Sequence, residues 1–236
     1  MKTYKFHLIR CGVCEGQQRG EYIGRLDRAL TDESRRELES LSERTEYPEV
    51  SVVVTNSLAR CSDTARIFYP DKDPAVIDGF IEYDFGEFEG HTASELAEYE
   101  EFREFLTGGE DAGALHGETN AEFASRVTEA FSRLVAGAMK TGCDSVALVA
   151  TGGVIGAIMA SFALPERGIS EWRAQPGCGY TLMVTPSVWM RSGKAELYDL
   201  IPETSGGYED ELLAGEDMGD KEFDPEEFRG FYTPEE

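Results

Sequence analysis

Three arginines stand where they could grip an oxyanion. Arg10 directly follows a run, Tyr4 to Ile9, that reads as a strand. Arg60 lies one helical turn past a second strand-like run, Val50 to Thr55, and Arg25 sits in the Gly-rich loop between them. If the three converge, their forked guanidinium donors can neutralise a phosphate dianion through paired bonds. Cysteine offers a different chemistry. Cys11 and Cys14 form a C-x-x-C just after the first strand, the spacing of a thioredoxin-like redox site. A zinc site would need two more ligands, of which Cys61 is the best placed, while Cys143 and Cys178 have no helpful spacing. A reversible Cys11–Cys14 disulfide is a further expectation for this loop. Asp84, Glu87 and Glu89 cluster carboxylates but lack the spacing of a calcium loop.

These residues need elements to hold them. Thr31 reads as an N-cap, with Asp32 and Glu33 in the first turn of a helix expected to run to Arg44. Val50 to Thr55 is β-branched and reads as a strand. Leu58 to Phe68 reads as helix, stopped by Pro70. Glu82 to Gly90 is an irregular acidic and aromatic loop, followed by one helix over Thr92 to Phe105. Phe123, Val127, Ala130, Leu134 and Ala138 recur at three- and four-residue steps in a long helix opened by Glu118-Thr119. Val146 to Ala150, Tyr180 to Val184 and Ala195 to Leu200 read as strands, and Val154 to Phe162 as helix. Strands alternating with helices predict an α/β fold, a three-layer α/β/α sandwich around a mostly parallel sheet. Ligands bind beyond the carboxyl ends of such strands. That directs attention to Arg10-Cys11-Gly12, Asn56-Ser57 and Thr151-Gly152-Gly153.

The chain has 236 residues, enough to bury a core without staples, and 41% of them are hydrophobic. Its 22 basic residues face 46 acidic ones, a net charge of −24. That balance excludes bulk binding to nucleic acid and docking on anionic lipid. Any anionic ligand must find a local basic site inside a repulsive field. Residues 203–236 hold 13 acidic and 2 basic residues, so they carry −11 of the total. The expected division is residues 1–202 as one domain and 203–236 as an acidic C-terminal extension, with a basic protein as its possible partner. Ser145 to Leu164 is free of charge, but Gly152-Gly153 splits it into a strand-like and a helix-like half rather than a membrane span. No signal segment is read after Met1, and five irregularly spaced cysteines do not make a secreted disulfide framework, so a cytoplasmic location is expected.

Leu8-Ile9-Arg10-Cys11-Gly12 resembles the L-[VI]-R-H-G signature of the histidine phosphatase superfamily, the phosphoglycerate-mutase-like proteins. Further likenesses follow in order. Tyr22 to Asp27 with Leu30-Thr31 is similar to the family's Y-x-G-R-x-D-x-x-L-[TS] loop. Thr55 to Ala65 is similar to its S-[SP]-L-x-R-x-x-x-T-A helix start, and Glu82 to Gly90 to its E-x-D-F-G-x-[WF]-E-G segment. Gly117-Glu118 with Phe123 and Arg126-Val127 resembles the G-E-S helix, and Val149 to Ile155 resembles V-[ST]-H-G-G-[VT]-[IL]. Trp172 with Gly177-Cys178-Gly179-Tyr180 resembles a turn and core element of related members. The ordered set is far more specific than any one motif.

The resemblance implies roles. Arg10 and Arg60 correspond to phosphate-binding arginines, Glu82 to the general acid, and Arg25 and Glu118 to positions lining the site. Gln17 stands where related sequences have a phosphate-contacting Asn, and Gly152 belongs to the second glycine-rich motif. The family needs two histidines, one that attacks phosphorus and one that polarises its oxygens. Here those positions hold Cys11 and Thr151. His7 falls inside the first strand, as a structural histidine, and His91 and His116 fall in polar loops facing solvent. The expected function is therefore recognition of phosphate or a small phosphomonoester by a pseudophosphatase with impaired catalysis. The alternatives are an active phosphomonoesterase with Cys11 as nucleophile and Glu82 as acid, and a scaffold binding partners through its acidic tail. No cofactor or metal is implied. The insert from Thr92 to Gly117, where family members cap the site, is acidic and disfavours bisphosphates.

Overall fold

The computed structural model describes residues 2–202, so the acidic extension and its partner lie outside the described residues. Strand β1 (Tyr4–Arg10) runs through the middle of the sheet. Successive side chains of a strand leave on opposite faces. Phe6 and Leu8 accordingly enter a large apolar core, while Ile9, and Cys11 just beyond the strand, enter a smaller one. Full burial of a side chain such as Leu8 stabilises by about 1.5–3 kcal/mol.

Helices α1 (Asp32–Arg44) and α2 (Ala59–Phe68) cover the smaller core through Leu38, Cys61, Ala65 and Phe68. On the other face lie α5 (Asn120–Thr141) and α6 (Gly152–Phe162), with Phe123, Val127, Phe131, Val154 and Ile155 facing the sheet. Two short helices, α3 (Ala93–Leu96) and α4 (Glu100–Thr107), add Leu96, Phe102 and Phe105 to that face. The remaining strands are β2 (Val52–Thr55), β3 (Ala75–Val76), β4 (Ser145–Ala150), β5 (Ala163–Leu164), β6 (Gly179–Val184) and β7 (Ala195–Ile201). Helix α7 (Pro186–Ser192) joins the last two. Their order is β3-β2-β4-β1-β6-β7-β5. β1, β2, β3 and β4 are mutually parallel, whereas β6 runs antiparallel to both β1 and β7. The three-layer α/β/α architecture is as expected, with one reversed strand inside it.

Local signals explain most boundaries. Thr31 accepts from Ser34 N at 3.0 Å and caps α1, and a full capping box of Thr119 and Glu122 opens α5. Caps of this kind are worth about 1 kcal/mol each. The single helix expected over Thr92 to Phe105 is instead two. A capping box at Thr92 and Glu95 starts α3, and Arg103 Nε donates to the Ala97 carbonyl across the break. The turn lets Phe102 and Phe105 pack edge-on against Tyr22. β3 and β5 have two residues each, too short to leave a pattern in the sequence. The uncharged stretch over Ser145 to Leu164 is strand β4, then α6, then the short strand β5. No helix of the described residues is long and apolar enough to cross a membrane.

Candidate functional site

The carboxyl ends of β1 and β4 deliver Arg10-Cys11 and Thr151 to one place, tied by the Cys11 N–H donating to Ala150 O at 2.8 Å. Cys11 and Thr151 are both buried. Arg10 lies across Gly152, whose absent Cβ would stand 3.4 Å from Arg10 Nε. The loop before β6 positions that arginine: Arg10 Nη1 donates to Ala174 O at 2.8 Å, and Gly177 N donates to Arg10 O at 2.8 Å. Trp172 and Tyr180, in edge contact, anchor the same loop in the core, as expected for a turn and core element.

Arg60, in the first turn of α2, is 0% exposed. Its guanidinium reaches back into the loop after the first strand. Nη1 donates to Leu26 O at 3.0 Å and Nη2 to Gly24 O at 2.5 Å. The opposite side of that loop is held by Glu89, whose carboxylate accepts from the N–H groups of Gly24 at 3.0 Å, Arg25 at 2.7 Å and Leu26 at 3.3 Å. Burial pushes the Glu89 carboxyl up, against those backbone donors. Gly24 is obligatory here, because a Cβ would fall 1.8 Å from Tyr83 O. Asp27 then accepts from Ala59 N at 2.8 Å and supplies the side-chain cap that Leu58 cannot give α2.

Glu82 sits under the start of α6. Its carboxylate accepts from Gly153 N at 3.2 Å and Tyr83 N at 2.7 Å. The helix begins at Gly152, two residues before the expected Val154, and the Glu82 carboxylate takes the space that a side chain at Gly153 would fill. A Cβ on Gly153 would lie 2.6 Å from Glu82 Oε1. The segment carrying Glu82 is fixed by Arg126 of α5, which donates to Gly79 O, Ile81 O and Glu82 O. Arg126 also forks onto Glu118 through two bonds of 2.8 Å. Sequence reasoning noted Arg126 only as part of a motif and gave it no role. The available signal was opposite charge at one helix start, with Glu118 just before the Thr119 cap and Arg126 in the second turn.

The other expected site residues have partners of their own. Arg25, 40% exposed, pairs with Asp84 at 3.0 Å and Glu118 at 3.6 Å, so its charge meets carboxylates first. Gln17 Oε1 accepts from both the N–H and the thiol of Cys14. None of the three histidines reaches the site. His7 is buried between Thr181 and Ser145, and burial, helped by Lys5, lowers its pKa to about 4. His91 and His116 are exposed, with His116 Nδ1 2.7 Å from Glu87. Among the described residues no group of three or more His, Cys, Asp or Glu side chains is arranged to hold a metal ion.

Electrically the site centres on the Cys11 sulfur. A hydrogen bond from Cys61 lowers the Cys11 pKa, and Arg60 and Arg10 add to this against burial and Glu82. Burial disfavours the charged Arg60 guanidinium, but the charge that Cys11 can carry, with lesser help from its neighbours and Glu82, raises its pKa. Two buried polar atoms here, Arg60 Nε and Thr151 Oγ1, have no hydrogen-bond partner in the protein. Orphaned buried donors of this kind are rare and are what a bound oxyanion or water satisfies. The arrangement can therefore seat an anion beside a thiol, with a carboxyl group close by.

The sequence profile of the histidine phosphatase superfamily (branch 1) matches residues 6–190. Among solved structures, the chain is similar to the alpha-ribazole phosphatase from Shigella flexneri, at TM-score 0.72 and 21% identity over 83% of this chain and 95% of that one. It is also similar to phosphoserine phosphatase from Entamoeba histolytica, at TM-score 0.66 and 20% identity over 84% and 96%. A mycobacterial glucosyl-3-phosphoglycerate phosphatase follows at TM-score 0.64 and 22% identity over 77% and 91%. No curated protein matches the chain.

Proposed function

The chain belongs to the histidine phosphatase superfamily, and from that premise we propose that it recognises phosphate or a small phosphomonoester without running the family's phosphohistidine reaction. The observation that carries this reading is the pair of orphaned donors, Arg60 Nε and Thr151 Oγ1, beside a nucleophile position occupied by Cys11. The neighbours of similar fold act on phosphorylated compounds by name, which supports phosphate as the shared ligand chemistry. The substituted positions remove the imidazoles. Losing a nucleophile lowers rates by about 10⁶, and losing a positioned electrostatic donor by about 10²–10³. Thr151 retains one hydroxyl donor and no charge. Arg10 and Arg60 would supply the positive field, and the Glu82 carboxyl is the candidate to protonate a leaving oxygen.

Isothermal titration with orthophosphate and with orthovanadate tests this. The wild type is expected to bind both, and Arg10→Gln to bind at least tenfold more weakly. No heat of binding in the wild type sinks the reading.

One observation favours a second reading, in which Cys11 is itself a nucleophile for slow monoester hydrolysis: the donor from Cys61 and the two arginines favour its thiolate. In that reaction the thiolate attacks phosphorus, Glu82 protonates the departing alkoxide, and water releases phosphate from the thiophosphoryl intermediate. Turnover of p-nitrophenyl phosphate that vanishes in Cys11→Ser supports it. Equal rates in both proteins remove it.

A further inference from the structure

Phosphate recognition leaves one arrangement unused. Cys11 leaves the end of β1, Cys61 stands in the first turn of α2, and the two segments are pinned side by side by Gly12 N donating to Thr64 Oγ1 at 3.1 Å. Both thiols are free, both are buried, and both belong to the same small apolar core. Cys61 is the neighbour that most lowers the Cys11 pKa, and Cys11 in turn raises that of Cys61, in keeping with their shared place in this core. Cys14, the partner that the C-x-x-C spacing suggests, is turned to other work. Its thiol donates to Gln17 Oε1 at 3.3 Å, and its segment bridges to Leu30.

We propose that Cys11 is a peroxide-reactive thiol and that Cys61, not Cys14, is the partner with which it closes a reversible disulfide. The oxidant is hydrogen peroxide or a small alkyl hydroperoxide. The electrostatics agree: Cys11 is shifted toward thiolate, whereas burial and the Cys11 contact push the Cys61 thiol well up and burial pushes Cys14 to about 11. Cys11 is thus the thiol that attacks, and Cys61 stays protonated until the sulfenic acid forms beside it. In the first step the Cys11 thiolate attacks the peroxide. An S–O bond forms, the O–O bond breaks, and the departing oxygen takes a proton and leaves as water or alcohol. In the second step Cys61 gives up its proton and attacks the Cys11 sulfenic sulfur. The S–S bond forms, the S–O bond breaks, and water leaves. The two thiols supply the two electrons that reduce the peroxide, and an external dithiol reverses the change. The bridge would tie the phosphate loop to α2 and remove the thiolate from the site. It does not rest on phosphate binding.

The test uses the full chain treated with hydrogen peroxide, blocked with N-ethylmaleimide and cleaved with trypsin. Cleavage after Arg10, Arg19, Arg60 and Arg66 leaves Cys11 and Cys14 on one peptide and Cys61 on another. The wild type and Cys14→Ser are both expected to give the joined pair of peptides, two hydrogens lighter than their sum and separated again by dithiothreitol. Cys61→Ser is expected to give no bridge and a dimedone adduct on Cys11. A bridge within the 11–19 peptide, loss of the joined pair in Cys14→Ser, or thiols that stay fully alkylatable at peroxide levels that oxidise free cysteine would overturn the proposal.

Discussion

Around residues 23–26 and 79–82 the buried polar groups are densely paired. Arg60 and Glu89 grip opposite sides of the first segment, and Arg126 holds the carbonyls of the second while forking onto Glu118. Between Cys11 and Thr151 the pattern reverses. Two free thiols share one small core, and Arg60 Nε and Thr151 Oγ1 have no protein partner. Arg60 belongs to both regions, through different nitrogens. A saturated frame fixes geometry, and an unsaturated floor is where a ligand or an oxidant still has something to gain. Substitutions in the frame should therefore be read in stability, and substitutions in the floor in binding or reactivity.

The largest effect is expected for Gly24→Ala. Its Cβ meets a backbone oxygen that cannot rotate away, so denaturant unfolding should show a loss of about 4 kcal/mol or more. A loss under 1 kcal/mol would mean that the frame yields. Arg126→Met should follow at about 3 kcal/mol, because it removes the forked partner of buried Glu118 and leaves only the longer contact to half-exposed Arg25. Rescue by the second substitution Glu118→Gln would confirm that the unpaired charge is the cause.

Acid provides the next contrast, in a buried group far from the floor. The His7 pKa is lowered in the folded state to about 4 from 6.5 by burial. Between those values the unfolded chain binds the extra proton, so the stability that His7 contributes is present above pH 6.5 and lost as pH falls through 4. The shift corresponds to about 3 kcal/mol. His7→Gln should flatten that part of the stability–pH curve while leaving the heat of phosphate binding at pH 7 unchanged. The smallest stability effect belongs to the floor. Thr151→Val removes an orphaned hydroxyl and should alter stability by less than about 1 kcal/mol. Orthophosphate affinity should fall even so. Unchanged affinity would take Thr151 out of the site.

Much of the frame was legible in the sequence. The β-branched run expected as a strand over Val50 to Thr55 is one over Val52–Thr55, the Thr31 cap starts α1 where expected, and α5 opens right after Glu118-Thr119. The reversal of β6 was not legible, since strand direction depends on which neighbours pair and not on the strand's own residues. Within the site, the positions of Arg10, Cys11, Arg60, Glu82 and Thr151 followed from ordered motifs. The direction of each side chain did not. Arg60 commits its Nη donors to main-chain carbonyls, Arg25 turns to Asp84 and Glu118, and Gln17 turns to Cys14. Which cysteine neighbours Cys11 was equally hidden, because adjacency in space joins residues separated by helix α1, strand β2 and the loops around them.

The double duty of Arg60 has a mechanical consequence. Its Nη atoms are tethered to the carbonyls of Gly24 and Leu26, so any anion settling on Nε pulls on the same rigid plane that anchors this stretch of main chain. Occupancy is thereby transmitted to amides that never touch the guest. Deuterium uptake at Gly24, Arg25 and Leu26 should slow when orthophosphate is added, turning a passive strap into a reporter of what lies beneath it.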